Sequence, residues 1–234
     1  MRLPPPIHRW DLSPRRAVAL QHRLLQRVRE EPLESDPRLI AGLDAAFSPD
    51  NDWCLGAVVV WDRLTGEEVE HQMAARPLRF PYVPGLLSFR EAPALLAALR
   101  RLRVRPDLLI CDGQGRAHPR RFGLACHVGV LIDLPVFGCA KSILVGEVSQ
   151  LGSARGAMSD LEYQGQVIGR AVRTRDRVRP VYVSVGHRVT LEDAVRWTLA
   201  CAVRFRLPEP IRLADALAGK GRTKWKRGWN PLER

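Results

Sequence analysis

Asp44 and Asp112 are carboxylates in segments where burial is expected. Asp44 lies inside the apolar stretch of residues 38–47, and Asp112 directly follows the apolar run Leu108–Cys111. An unpaired buried carboxylate costs on the order of several kcal/mol unless a cation or hydrogen-bond donors compensate for it. Two ordinary interpretations stay open: a strand-end turn for Asp44, and an Asp-Gly turn for Asp112, which precedes Gly113. If both acids are functional, they indicate a site that binds a cation.

Glu91 and Asp215 are two further acids, and each has an ordinary explanation when taken alone. Glu91 stands three residues after Ser88, the spacing of a capping box at a helix N-terminus. Asp215 lies one turn into a predicted late helix, where a surface carboxylate is common. Together with Asp44 and Asp112 they form an acidic set in a basic chain. Carboxylate oxygens bind hard cations such as Mg²⁺, and paired ions promote in-line displacement at phosphorus. The set therefore favours metal-dependent cleavage of phosphodiesters.

The hydrophobic pattern predicts the elements that position these acids. In the first half it predicts a helix over residues 14–31 and strands over 38–47, 54–61 and 67–75, the last two forming a hairpin. The second half alternates: a helix over 88–103, a strand over 107–112, a helix near 120–130, a strand over 135–140, strands near 163–170 and 180–186, a helix over 190–205 and a short helix after Pro210. We therefore expect an α/β fold with one mixed sheet, three antiparallel strands and then alternating helices and strands, flanked by helices. On the first strand, alternation puts Asp44 on the same face as Gly42.

The composition limits the class of protein. The chain has 234 residues, 46% of them hydrophobic and 26% charged, which is ordinary for a globular protein and excludes wholesale disorder. No apolar run approaches the ~18–20 residues that cross a bilayer, and the N-terminus lacks the apolar centre of a secretory signal. Five cysteines without a CxxC pair suit reduced thiols in the cytoplasm. We expect a monomer with one domain over residues 1–218 and a flexible basic tail over residues 219–234.

The charge of the chain points to its partner. With 37 Lys and Arg against 25 Asp and Glu, the formal net charge is +12. Three explanations are open: a polyanion partner, an anionic membrane surface, or solubility alone. The distribution favours nucleic acid, because residues 100–121 hold seven Arg, residues 168–188 hold six, and residues 219–229 interleave five Lys and Arg with two Trp. Basic clusters with aromatic and glycine residues suit phosphate backbones and stacked bases.

Five segments of the chain carry a specific pattern: RFPYVPGLLSFRE (residues 79–91), DLLICDGQGRAHPRRFG (107–123), GVLIDLPVFGCAK (129–141), GHR (186–188) and RLPEPIRLAD (206–215). These segments resemble the endonuclease V family, nucleases that act at inosine. The resemblance covers most of the chain from Leu39 to Asp215 and implies a ribonuclease H-like fold, which agrees with the predicted element order. It also implies that the acidic residues Asp44, Glu91, Asp112 and Asp215 bind Mg²⁺, for which Mn²⁺ can substitute.

The resemblance implies roles for residues around the acids. His118 would orient groups or transfer a proton near the scissile phosphate, with Arg120 beside it, and Lys141 would neutralise phosphate charge. The segment Pro81-Tyr82-Val83-Pro84 is similar to the family's strand-separating wedge, in which Tyr82 would fill the place of a flipped base. A buried Tyr in a Pro-rich turn is the alternative. Main-chain groups would read the hypoxanthine base at Gly85, Leu87, Gly123 and Leu124.

The resemblance implies a DNA-repair enzyme whose substrate is DNA containing deoxyinosine. It would hydrolyse the second phosphodiester bond on the 3′ side of the lesion and leave 3′-hydroxyl and 5′-phosphate ends. Two other functions stay open: an inosine-specific endoribonuclease that acts on RNA, and a non-catalytic nucleic-acid-binding module with the same fold. The complete acidic set speaks against the second of these.

Overall fold

The computed structural model describes residues 1–226, and within them nine strands form one sheet. The strands are β1 (Leu39–Phe47), β2 (Trp53–Asp62), β3 (Glu67–Pro77), β4 (Leu108–Cys111), β5 (Val136–Ala140), β6 (Glu147–Val148), β7 (Met158–Tyr163), β8 (Gln166–Val172) and β9 (Val181–His187). The helices are α1 (Pro14–Leu25), α2 (Ser88–Arg101), α3 (Leu124–Ile132), α4 (Leu191–Cys201) and α5 (Glu209–Lys226). The expected α/β fold, one mixed sheet flanked by helices, is confirmed.

The strand order brings distant parts of the chain together at the centre of the sheet. The order is β3-β2-β1-β4-β5-β9-β8-β7-β6. The neighbours β1, β4 and β5 are parallel, and the remaining pairs are antiparallel. Every residue of β4 and β5 is buried, as expected for central strands that are covered on both faces. Residues at matching positions of the parallel strands β1 and β4 therefore lie side by side at the centre of the sheet.

Helices cover both faces of the sheet. On one face α2 packs on β1, β2 and β3 and α3 packs on β5 and β9, with Leu95, Leu99 and Val128 in the core. On the other face α5 packs on β1 and β2 and α4 packs on β8 and β9, where Trp197 and Ile211 are buried. Helix α1 lies outside α2 and α3, and its apolar stripe packs against the loops that precede both helices. Each fully buried large side chain contributes roughly 1.5–3 kcal/mol of transfer free energy, so both faces hold the sheet.

Two glycines allow helices to approach the sheet closely. A Cβ atom on Gly42 of β1 would lie 2.0 Å from the carbonyl oxygen of Pro210, in the first turn of α5. A Cβ atom on Gly56 of β2 would lie 2.5 Å from the carbonyl carbon of Ala94 in α2. Any side chain at these positions would push a helix backbone away from the sheet. Both helices that carry candidate acids are thus seated directly on the strands.

The structure corrects several predicted boundaries. Helix α1 ends at Leu25 and not at residue 31, α3 begins at Leu124, and the short polar strands β6 and β7 were not predicted. Residues 219–226, the first part of the expected tail, continue α5, so this helix is longer than the short one predicted after Pro210. A Cβ atom on Gly221 would lie 2.1 Å from Leu55, so close packing on β2 offsets the poor helix propensity of glycine. Residues 227–234 of the expected tail lie outside the described residues.

Candidate active site

Asp44, Asp112 and Asp215 converge at the centre of the sheet. The parallel register pairs Leu43 of β1 with Cys111 of β4, so the next residues, Asp44 and Asp112, are neighbours. The amide of Asp112 donates a hydrogen bond to the carbonyl oxygen of Leu43 at 2.8 Å, which fixes the start of the loop after β4. Asp215 comes from α5. One carboxylate oxygen from each of the three acids lies within 4.8 Å of the other two.

Burial and mutual repulsion make these carboxylates reluctant to ionise together. Burial raises the pKa of Asp44 to about 7, and the charge of Asp112 contributes to the increase. Burial also raises the pKa of Asp112, although its hydrogen bond with Lys141 acts in the opposite direction. A bound cation would relieve both effects, because it stabilises the ionised forms. The electrostatics of the cluster therefore favour cation binding.

Glu91, in the first turn of α2, is coupled to the same acids. Burial raises its pKa to about 8, and the charges of Asp44 and Asp112 raise it as well. It is not one of the three acids whose oxygens lie within metal-ligand distance of one another. The expected capping box is wrong, since α2 begins without a side-chain cap hydrogen bond and Ser88 Oγ lies 2.9 Å from Nδ1 of His127. Glu91 is therefore coupled to the cluster by its charge, but it does not lie among the three acids at metal-ligand distance.

Lys141, which follows β5, bridges two of the acids. Its Nζ lies 2.6 Å from Oδ2 of Asp112 and 2.7 Å from Oδ1 of Asp215. Burial acts to lower the pKa of Lys141, but hydrogen bonds to the two carboxylates raise it above its usual value. Arg206 donates to the carbonyl oxygen of Lys141 at 2.8 Å and so holds the backbone there. The ammonium group compensates part of the negative charge of the cluster.

The chemistry of the cluster fits a hard divalent cation. All three groups offer carboxylate oxygens, the ligands that Mg²⁺, Mn²⁺ and Ca²⁺ prefer, and none offers sulfur or imidazole. Within residues 1–226 this is the one group of three acidic, His or Cys residues whose ligand atoms lie this close together. The residues present therefore fit the metal site that the sequence predicts.

The Pro-rich loop between β3 and α2 presents an aromatic ring to solvent. Tyr82 lies between Pro81 and Pro84 and is 74% exposed, so the alternative of a buried Tyr is wrong. Buried Arg90 donates to the carbonyl oxygen of Phe80 at 2.9 Å, and its guanidinium lies 5.9 Å from the centre of the Tyr82 ring. Prolines restrict the backbone of such a loop and an exposed aromatic plate can stack on a base. The loop has the form that a wedge requires.

A cavity of about 420 Å³ adjoins both the loop and the acids. This size lies within the range of small-ligand pockets. Its wall includes the predicted base-reading residues Gly85, Leu87, Gly123 and Leu124, together with Tyr82, Pro84, Asp112, His118 and Lys141. Pro81 and Arg120 do not line it. A Cβ atom on Gly123 would lie 2.3 Å from the carbonyl oxygen of Gln114, so glycine is needed at this wall.

His118 and Arg120 are engaged within the protein. Nε2 of buried His118 lies 2.9 Å from the carbonyl oxygen of Gly85, and its Nδ1 accepts from the amide of Arg120 at 3.1 Å. Burial, together with the charge of Arg120, lowers the pKa of His118 to about 4. The guanidinium of Arg120 donates to the carbonyl oxygen of Gly85 at 2.7 Å and to Oε1 of Gln21 at 2.6 Å, so it is held within the protein beside His118. Both residues stabilise the loop that carries Gly85.

Comparison with known proteins decides the family. The model of the endonuclease V family matches residues 22–216. Endonuclease V of Roseiflexus castenholzii is 51% identical over 215 residues, which are 92% of this chain and 96% of the relative. The crystal structure of endonuclease V from Streptomyces avermitilis has a TM-score of 0.89 and 42% identity, covering 93% of this chain and 96% of that one. The chain belongs to the endonuclease V family.

As a member of the endonuclease V family, the chain is a metal-dependent endonuclease, a hydrolase of phosphodiester bonds that binds DNA and acts in DNA repair. A crystal structure of Ciona intestinalis endonuclease V, in complex with a 24mer DNA containing an inosine followed by a ribo-adenosine, has a TM-score of 0.76. It is 24% identical and covers 88% of this chain and 96% of that one, which shows the shared fold. None of the helices in the described part of the chain has the length and apolarity that crossing a membrane requires.

Two buried polar residues of this endonuclease V chain were not singled out from the sequence. Gln21 lies on the buried stripe of α1 between Leu20 and Leu24, and a polar residue at apolar spacing was the available signal. Arg90 lies beside Glu91, and nothing in its sequence context indicates that its guanidinium is buried. Both residues hold loops around the cavity. The hydrogen bonds that do so join distant parts of the chain and are visible only in the structure.

The basic cluster of residues 168–188 also has a structural use in this endonuclease V fold. Arg173 donates to the carbonyl oxygen of Gly152 at 2.5 Å, and Arg175 donates to that of Arg204. Each guanidinium therefore joins two loops at the end of the sheet that carries β7 and β8. Their charge still contributes to the basic surface, because a carbonyl partner does not neutralise it.

Proposed function

We propose that this endonuclease V chain is a Mg²⁺-dependent enzyme that recognises deoxyinosine in DNA. It hydrolyses the second phosphodiester bond 3′ to the lesion and leaves 3′-hydroxyl and 5′-phosphate ends. One observation carries the proposal: Asp112 and Lys141 belong both to the acidic cluster and to the wall of the cavity. A base held in this cavity brings the backbone of its own strand close to the acids. The inosine-containing DNA bound to the Ciona intestinalis relative supports this substrate.

Asp44, Asp112 and Asp215 would hold Mg²⁺, for which Mn²⁺ can substitute, and Glu91 is the proposed fourth acid of the site. A divalent cation, when bound, activates a water molecule and stabilises the leaving oxygen of an in-line displacement. The chain contributes the oxygen ligands and the charged amine of Lys141, which lies beside them at 2.6 Å from Asp112. This amine is suited to neutralise charge that develops on the phosphate.

We propose that His118 acts as a positioning residue. The family resemblance leaves two roles open, orientation of a group and transfer of a proton. Both ring nitrogens of His118 have hydrogen-bonding partners inside the protein, and its lowered pKa, about 4, keeps the ring neutral at pH 7. A neutral ring with both nitrogens engaged favours orientation of a group over transfer of a proton.

Recognition would combine the wedge and the main chain. Pro81 and Pro84 hold Tyr82 exposed, so that its ring can fill the stack when the inosine leaves it. Hypoxanthine carries an oxygen acceptor at C6 and a donor at N1, and adenine carries an amino donor at C6. Peptide groups at Gly85, Leu87, Gly123 and Leu124 that match hypoxanthine would be left unpaired by adenine, which is the basis of discrimination.

A nicking assay tests this proposal. Matched duplex and single-stranded oligonucleotides would contain deoxyinosine or deoxyadenosine in DNA, or inosine in RNA, each with Mg²⁺, with Mn²⁺ or with a chelator. We expect fast nicking of deoxyinosine DNA with either metal, and product ends that place the cut at the second phosphodiester. The Asp112→Asn variant is the control and should bind the same DNA without cutting it. Equal nicking of deoxyadenosine strands, or nicking with the chelator, would contradict the proposal. A preference for inosine in RNA would mean that RNA, and not DNA, is the substrate.

We further propose that the chain works as a single-domain monomer in the cytoplasm. All the acids of the cluster and the residues of the cavity come from one chain. The five cysteines are free and buried, which suits a reducing compartment. Light scattering of the purified protein would show one monomer mass, and a dimer mass that persists on dilution would contradict this part of the proposal.

A further inference from the structure

Gln21 is a buried amide that joins two walls of the cavity. It is 1% exposed, and each of its polar groups has a partner. Nε2 donates to the carbonyl oxygen of Gly85 at 3.0 Å and to that of Phe122 at 3.1 Å, while Oε1 accepts from Nε of Arg120 at 2.6 Å. Carbonyl groups only accept and a guanidinium only donates, so these partners define the orientation of the amide. Gln21 therefore links the loop before α2 to the loop before α3.

The carbonyl oxygen of Gly85 receives three donors. Besides Gln21, they are Nε2 of His118 at 2.9 Å and Nη2 of Arg120 at 2.7 Å. Nδ1 of His118 accepts from the amide of Arg120, so Nε2 carries the ring proton and is the donor. Gly85 itself has φ of 76°, and a Cβ atom there would lie 2.5 Å from Nη2 of Arg120. The three donors and the glycine form one arrangement, which we name the Gly85 clamp.

The clamp changes what this wall of the cavity offers to a ligand. The other carbonyl oxygens nearby are also engaged, since Val83 accepts from Leu86, Leu86 from Phe89, and Leu87 from the amides at the start of α2. With these four carbonyl oxygens in internal hydrogen bonds, this segment of the wall is left with N–H donors to offer to a group at C6 of a purine. A purine with an oxygen at C6 can accept from such donors. A purine with an amino group there meets donor against donor.

We infer that Gln21, acting through the Gly85 clamp, is a specificity-determining positioning residue for 6-oxopurine over 6-aminopurine. It does so by holding the Gly85 carbonyl and by fixing the separation of the Gly85 and Gly123 walls, since Phe122 directly precedes Gly123. The inference rests on the proposed function, because it assumes that the cavity receives the base. Gln21 lies just before residues 22–216, the range that the family model matches.

Two substitutions test the role of Gln21. Gln21→Met keeps the volume but removes both donors, and Gln21→Glu keeps an acceptor for Arg120 but places a second acceptor opposite the two carbonyls. The control is Leu20→Val on the same helix, because Leu20 is buried in the same cluster and has no polar group. Each variant is measured for its melting temperature and for kcat/KM on deoxyinosine and deoxyadenosine strands. Hydrogen exchange of the peptide that covers residues 82–89 is followed without substrate.

We expect the ratio of kcat/KM for deoxyinosine over deoxyadenosine to fall about tenfold or more in both Gln21 variants. Exchange in residues 82–89 should become faster in the same variants. Leu20→Val should lower the melting temperature with the ratio unchanged. If the Gln21 variants behave as the control does in both readouts, the inference is overturned.

The exchange measurement separates this inference from the proposed function. If the wild-type protein shows no preference for deoxyinosine, the proposed function fails and the specificity claim fails with it. Faster hydrogen exchange of residues 82–89 in Gln21→Met would then still support the link between the Gly85 and Gly123 walls. Unchanged hydrogen exchange would overturn this link as well.

Discussion

Gly42 and Pro210 are in backbone contact, with no room for a Cβ atom between them. Asp44 lies two residues further along β1 on the same face, and Asp215 follows in the next turns of α5. The spacing of these two carboxylates is therefore set by the contact of a strand with a helix, and not by the carboxylates themselves. Like charges would separate without such a constraint.

Gly42→Ala should displace the start of α5 and with it Asp215. The added methyl group would lie 2.0 Å from the Pro210 oxygen, so the helix must move. We expect the nicking rate to fall at least about tenfold, since misplacement by about 1 Å can cost on the order of a hundredfold. Gly219→Ala on the same helix is the matched control: no atom lies within 4 Å of the added group, and activity should be retained. Full activity of Gly42→Ala would show that the contact does not position Asp215.

Mg²⁺ should raise the melting temperature of the wild-type protein, because it binds the folded cluster and relieves the repulsion between carboxylates. Asp44→Asn removes one charged ligand and keeps nearly the same side-chain shape. Without metal this variant should be more stable than the wild type, since burial already raises the pKa of Asp44 to about 7. With metal its gain in melting temperature should be smaller. An identical gain in the two proteins, measured by thermal denaturation over a Mg²⁺ series, would argue against coordination by Asp44.

Tyr82→Ala should weaken binding of a duplex that contains deoxyinosine more than it slows cutting of a single strand. The exposed ring is proposed to fill the stack of a duplex, and a single strand has little stacking to replace. Loss of such stacking costs about 1–3 kcal/mol per base. Binding by fluorescence anisotropy and nicking of both substrates would be compared. Equal losses on duplex and single strand would be inconsistent with a wedge.

The contribution of His118 to the free energy of unfolding should fall as the pH decreases from about 6.5 to about 4. Burial and Arg120 lower the pKa of His118 to about 4 in the folded protein, whereas an unfolded His titrates near 6.5. In this window His118 binds more protons in the unfolded chain than in the folded chain, so acid at this site favours unfolding; Asp44 and Glu91, whose pKa values are raised, act in the opposite direction. His118→Gln should reduce the slope of stability against pH by up to about one proton. Chemical denaturation at several pH values measures it, and an unchanged slope would mean that His118 titrates normally.

The pattern of apolar residues is sufficient for most of the fold, because it follows from burial on one or both faces. Alternation along β1 placed Asp44 on the face of Gly42, which packs on α5. It could not predict the length of α5. Gly219 and Gly221 oppose helix formation locally, and the packing of Gly221 on Leu55 is a tertiary contact that no local pattern contains. The polar strand β7 was missed because a single residue of it, Leu161, is buried.

The site was predictable only in part, because its geometry also depends on tertiary contacts that no local pattern contains. Nothing in the sequence gives the register of β1 against β4, so the meeting of Asp44 with Asp112 had to come from family resemblance and is now explained by the pairing of their neighbours. The capping box at Ser88 was a sound local expectation, but His127 on α3 binds Ser88 Oγ instead. Local motifs fail where a distant partner competes for the same group.

The position of Lys141 implies that a metal ion bound by Asp112 and Asp215 would replace an ammonium group that is already there. Its tethered ammonium holds Asp112 and Asp215 together at 2.6 and 2.7 Å, so the carboxylates are gathered before any ion arrives. A divalent ion held by Asp112 and Asp215 would compete with this amine for the same oxygens. An amine released from the carboxylates would be free to contact a phosphate oxygen, and thermodynamic linkage would make the effect reciprocal. We therefore expect bound DNA to raise the affinity of the site for its metal ion.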